Sequence, residues 1–179
     1  WQVRSAAAGA LGSLGDAHAV KPLIAALKDT NENVRTSAAE ALAQLGDTAT
    51  VSLFAALNDK DGRLRWAVAE ALGKLSDARA VVPLIASLND GNAVVRTAAA
   101  RTLGQLGDAR AVGPLVAALK DGNEGVHTAS VEALRRLGEA AVKPLITAVK
   151  GADGDLRRAA AEALGKLGGP EVLPTLSEA

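Results

Sequence analysis

The residues able to do chemistry in this chain are few in kind. There is no cysteine, there are two histidines, and twenty acidic residues stand against twenty basic ones. His18 and His127 are the first test for metal or acid–base work, and they lie in well-separated parts of the sequence. Neither has a glutamate or cysteine neighbour at ligand spacing, so no metal site is expected. Nor does any glycine-rich stretch resemble a phosphate cradle; the recurring Gly-Asp pairs read as helix stops instead. One pairing does recur: Asp29 and Arg35, Asp59 and Arg65, and Asp90 and Arg96 are each six residues apart. A carboxylate at the positive end of a helix can accept from its N–H groups and from a guanidinium. The functional alternative is an arginine stripe for phosphate, and the structural reading is preferred.

The elements that carry these pairs repeat. Val3-Arg4-Ser5, Val34-Arg35-Thr36, Leu64-Arg65-Trp66, Val95-Arg96-Thr97, Val126-His127-Thr128 and Leu156-Arg157-Arg158 mark six units, at spacings of 31, 30, 31, 31 and 30 residues. A short fixed period marks a solenoid, in which each unit buries its apolar face only by stacking on its neighbours. In the second unit Val34, Ala38, Ala41, Leu42 and Leu45 recur at helical spacing, with Thr36, Glu40 and Gln44 opposite, and Gly46 ends this helix A. Helix B of the first unit buries Val20, Leu23, Ile24 and Leu27, and Pro22 is expected at its first position. Asn31 or Asp29 is the expected cap of the next helix A. The expectation is one domain, residues 1–179, all-α, with about twelve helices and no strands. The last unit is clipped after Pro174. The first begins at Trp1 with no polar capping unit, so the array is expected to continue upstream.

Composition narrows the partners. Zero net charge gives no field that would draw the chain to nucleic acid or an anionic membrane. No apolar run reaches the roughly 20 residues of a spanning helix, and nothing reads as a signal peptide, so a soluble cytoplasmic chain is expected. The oligomeric state is not readable.

The pattern Val-Arg-x-x-Ala-x-x-Ala-Leu-Gly-x-Leu-Gly-Asp-x-x-Ala-Val-x-Pro-Leu-Ile-x-x-Leu-x-Asp is nearly intact from Leu64 to Asp90 and from Val95 to Asp121. It resembles the short HEAT repeats named after phycobilisome lyase subunits. The resemblance implies a right-handed superhelix with helix A convex and helix B lining the concave side. It also implies that the Asp–Arg pairs form a hydrogen-bonded ladder between repeats. That ladder breaks late, where Asp121 meets His127 and Gly151 precedes Arg157, so the junctions around 121–127 and 151–157 are expected to fray first. HEAT-repeat hydroxylases bind iron through repeated His-Glu pairs, which His18-Ala19 and His127-Thr128 do not supply. HEAT-like DNA glycosylases need an aromatic cleft and a basic face, also not found. A bilin lyase subunit is the main enzymatic alternative. Yet no chromophore-binding residue maps onto this chain, and a single Phe with no Tyr offers little grip on a planar tetrapyrrole.

The expected function is a non-enzymatic protein-interaction or scaffold module with no catalytic residue and no cofactor, taking a protein or peptide on the outward face of helix B. Three rows would line that face. The first is Lys21, Val51, Val82, Gly113 and Lys143; the second is Ala25, Ala55, Ala86, Ala117 and Thr147. The third is Lys28, Asn58, Asn89, Lys120 and Lys150. These rows suit an acidic or amphipathic segment; equally, they are good helix formers on a solvated face. Trp66 replaces a small polar residue and is a candidate exposed aromatic, though packing against its neighbours is the preferred reading. Arg135 marks either a local anion site or a solvated position, and Phe54 is expected in the core. A structural excerpt of a larger array and an engineered repeat scaffold stand as further alternatives.

Overall fold

The structure, a computed structural model, describes residues 1–151 and 153–168. Among these residues there are eleven α-helices, three short 3-10 turns and no strand. The chain divides into two compact units, 1–83 and 84 onward. Unit 1 holds α1 (Gln2–Leu14), α2 (Val20–Ala26), α3 (Glu32–Leu45), α4 (Asp47–Ala56) and α5 (Gly62–Leu75), and the division falls within α6 (Val81–Ser87). Unit 2 continues with α7 (Ala93–Leu106), α8 (Val112–Ala118), α9 (Glu124–Leu137), α10 (Glu139–Val149) and α11 (Gly154–Leu167). The final helix expected around Pro174 lies outside the described residues, as does Ala152.

The predicted stripes form, except that Thr36, expected on the outward stripe, and Ile24, expected buried, are both half-buried. Val34, Ala38, Ala41, Leu42 and Leu45 are buried, while Glu40 and Gln44 are exposed. On α2, Val20, Leu23 and Leu27 are buried and Ile24 is half-buried. Phe54 differs from expectation: it is half-buried, as are Ile24, Ile85 and Ile146 in the same register, and only Val116 is buried there. That register sits at the rim of the core. In α1 the positions equivalent to Val34 and Leu45 are Val3 and Leu14, and both are exposed.

Each later A helix opens on a side-chain cap. Asn31 accepts from the Asn33 N–H, Asp61 from Arg63, Asn92 from Val94, Asn123 from Gly125 and Val126, and Asp153 from Asp155 and Leu156. Each such cap contributes about 1 kcal/mol. The A helices end in two ways. Gly15, Ser76 and Gly107 turn left-handed, and Asp16, Asp77 and Asp108 then cap a 3-10 turn leading into helix B. Gly46 and Gly138 instead adopt φ 54 and ψ −126, and φ 57 and ψ −129, ending one helix and opening the next in a single residue. That conformation is open essentially to glycine alone, and it is how these loops run one residue shorter.

The prolines correct one expectation. Pro22, Pro83 and Pro114 are the third residue of their α-helices, because the 3-10 turn ahead already supplies the first turn. Pro144 lies inside α10, where no 3-10 turn precedes it.

Glycine also sets how closely the A helices approach. A Cβ on Gly12 would sit 2.7 Å from the Ala41 Cα, and one on Gly104 would sit 2.6 Å from the Ala133 Cα. The same register carries Ala43 in α3 and Arg135 in α9. Accordingly α1–α3 and α7–α9 pack along much of their length, whereas α3–α5 and α9–α11 meet over far less.

Candidate functional site

The recurrent Asp–Arg pairs are present, but they bond differently from the sequence reading. Arg35, Arg65 and Arg96 each donate through Nη1 to the backbone carbonyl of the aspartate six residues before, at 2.9, 2.7 and 2.8 Å. The carboxylates are held by arginines further back. Arg4 places Nε and Nη2 on Asp29 at 2.7 and 3.1 Å, and Arg96 forks onto Asp121 at 2.7 and 2.9 Å. These pairs are twenty-five residues apart, and each carboxylate also accepts the N–H of the helix cap, Asn31 or Asn123. The arginines bracket the end of helix B from both sides, which is structural work.

The expected break at His127 is correspondingly different. Asp121 is fully engaged by Arg96, and His127 donates Nδ1–H to the Leu119 carbonyl at 2.7 Å, with Nε2 3.6 Å from Glu162. The 121–127 junction thus keeps a side-chain bond of its own, made to the Leu119 carbonyl and not to that of Asp121. His18 is exposed and bonds Asp16 at 2.8 Å. Among the described residues no group of three His, Cys, Asp or Glu side chains could hold a metal.

The electrostatics follow from these bonds. The Arg4 fork is the main cause holding Asp29 down at about 2, the Arg110 guanidinium does the same for Asp108, and Arg135 with Arg136 does so for Glu132. Asp121 is lowered chiefly by Arg96. Every carboxyl shift resolved among the described residues runs downward, away from the values a general acid needs. Arg135, the candidate anion residue, bonds Glu132 through both Nε and Nη2 at 2.8 Å.

Trp66, the candidate exposed aromatic, is half-buried, and the Arg35 guanidinium lies over its ring at 5.7 Å. The three helix-B rows are exposed throughout. In unit 1 these are Lys21, Ala25 and Lys28, then Val51, Ala55 and Asn58, then Val82. Val51 and Val82 are the large apolar side chains of these rows, 72% and 63% exposed. In unit 2 the exposed residues are Ala86 and Asn89, then Gly113, Ala117 and Lys120, then Lys143, Thr147 and Lys150. Lys120 reaches Asp153 at 3.2 Å, as Lys28 reaches Asp61 at 3.5 Å.

Unit 2 adds a feature that the row pattern did not reveal, a groove of about 410 Å³ between α6 and α8. Ile85, Leu88, Pro114 and Ala118 line it, with Asn89, Ala117, Lys120 and Asp121. Alternation along one helix cannot show it, because the groove belongs to two helices 31 residues apart in register.

The pattern of HEAT repeats matches residues 1–55, 49–98, 81–149 and 114–179. No curated protein matches the sequence. Among solved structures, the complex of CpcE and CpcF of phycocyanin lyase from Nostoc sp. PCC7120 is similar at TM-score 0.65 and 24% identity, over 83% of this chain and 99% of that one. A designed armadillo repeat protein in complex with the peptide (KR)4 is similar at TM-score 0.50 and 22% identity, over 93% and 92%. The Kap95:Nup1 complex is similar at TM-score 0.59 and 19% identity, over 89% of this chain and 25% of that one.

Proposed function

The chain belongs to the HEAT-repeat family, and from that premise we propose that it is a non-enzymatic protein-interaction module that takes a partner protein or peptide on the outward face of its B helices. The observation that carries this reading is the groove between α6 and α8, with exposed Ala86 and Ala117 beside it. Small side chains there leave the helix backbone approachable, as a docked segment requires. The close-approach glycines Gly12 and Gly104 and the forks Arg4–Asp29 and Arg96–Asp121 serve stacking, and arginine partners lower the carboxyls of Asp29, Asp108, Asp121 and Glu132. The solved relatives include complexes with a protein or a peptide, which fits the same role.

The test compares partner capture by the wild-type chain, Ala86→Arg and Ala117→Arg, with helical content checked by circular dichroism. Loss of a specific partner from both folded variants supports the reading; equal capture by all three moves the site elsewhere. Likeness to CpcE–CpcF favours a second reading, a subunit of a bilin lyase working beside another repeat chain. Titration with free bilin decides it: absorbance changes that saturate support the lyase reading, and an unchanged spectrum removes it.

A further inference from the structure

We infer that the partner of the unit-2 face is an acidic segment carrying one large apolar side chain, which seats in the groove between α6 and α8 while its carboxylates meet Lys120, Lys143 and Lys150. This rests on the interaction role proposed above and narrows it to one chemistry.

Ile85, Leu88, Pro114 and Ala118 of the groove lining carry no charge, so they favour an aliphatic or aromatic anchor over a polar one. Charge then sets the sign of what flanks that anchor. The exposed row residues of unit 2 include three lysines and no carboxylate. The nearby acids are already committed. Asp121 at the groove end carries the Arg96 fork and the Asn123 N–H, with only 15% of its side chain exposed. Asp153 caps α11 and accepts from Lys120. An incoming carboxylate can take over Lys120, because a solvent-exposed pair at 3.2 Å is weakly held. Lys143 and Lys150 extend the same positive edge along α10 and just past its end. A basic peptide such as the one bound by the designed armadillo protein would meet three like charges here.

The experiment is an unbiased peptide-display selection on the intact chain, followed by fluorescence polarisation of an enriched peptide against wild type, Ala117→Arg and Lys120→Glu/Lys150→Glu. All three substitutions fall on exposed positions, so the variants are expected to keep the wild-type helical spectrum. The expected result is enrichment of Asp and Glu around a single large apolar residue. Affinity should fall about tenfold or more in each variant and weaken as salt is raised. Basic or uncharged peptides lost only in Ala117→Arg would overturn the acidic-partner inference and leave the interaction face standing. No enrichment, or enrichment indifferent to Ala117→Arg, would overturn both. Self-association of the chain blocked by Ala117→Arg would assign the groove to a second copy and contradict the inference.

Discussion

Arg96 holds Asp121, twenty-five residues on, with two parallel hydrogen bonds of 2.7 and 2.9 Å, while its remaining nitrogen donates to the Asp90 carbonyl at 2.8 Å. One guanidinium thus fastens the end of one helix B to the end of the next, and both partners are largely shielded, with side-chain exposures of 19% and 15%. Arg96→Ala is expected to destabilise the fold by about 1–2 kcal/mol after allowing for solvent screening. Arg96→Lys should recover less than half of that, because an ammonium cannot fork. Urea denaturation measures both. A lysine variant as stable as wild type would show that the fork geometry is immaterial.

Acid should loosen the array. Asp29, Asp108 and Glu132 are held at about 2 when folded, and Asp121 is lowered too, against about 4 for such groups in an unfolded chain. A depressed folded value contributes stability that is full above the unfolded value and is lost as pH falls through the folded one. The melting temperature is therefore expected to stay flat from pH 7 to about pH 4.5 and then fall toward pH 2. Asp121→Asn should lower the plateau and flatten that acid limb. Equal melting temperatures at pH 5 and pH 2.5 would show that the pairs contribute nothing.

Two glycines at one register should respond oppositely to a methyl group. Gly104→Ala drives a Cβ to 2.6 Å from the Ala133 backbone and is expected to cost about 1–3 kcal/mol. No described residue lies within 4 Å of a Cβ on Gly165 in α11, so Gly165→Ala should stabilise by about 0.5–1 kcal/mol through helix propensity. Thermal melts of the two variants separate the effects. The same sign for both would refute close approach at Gly104.

Ser76 is the one described non-glycine residue with positive φ, at 52°, where Gly15 and Gly107 end the equivalent helices. Ser76→Gly is expected to stabilise by about 0.5–1 kcal/mol, since the left-handed turn costs a side chain more than it costs glycine. A melting temperature at or below wild type would contradict that strain.

Much of this fold was legible because its signals are local. Helical spacing placed Val34 to Leu45 in the core, and the Asp29-to-Asn31 turn announced the next helix, which Asn31 caps. Where a residue's partner lies in another repeat, local pattern misled. The spacing of six drew Asp90 toward Arg96, although the guanidinium takes the Asp90 carbonyl and gives its fork to Asp121. The better signal was present as the spacing of twenty-five shared by Arg4–Asp29 and Arg96–Asp121. Pro22 was set two positions early because a 3-10 turn leaves no hydrophobic period. Gly104 against Arg135 was visible as a substitution, but its meaning, close or open helix packing, required knowing that Ala133 lies opposite. The exposed rows were readable from periodicity, whereas the groove between α6 and α8 arises only once two helices are side by side.

The most direct test of the interaction face is site-specific photocrosslinking with benzophenone side chains placed singly at Ala117 on α8 and at Gln105 on the exposed surface of α7. In an extract of the source cells, the account predicts a discrete adduct with one protein from Ala117, competed away by unlabelled chain, and none from Gln105. An adduct confined to Gln105, or none from either position, would contradict binding through the helix-B face.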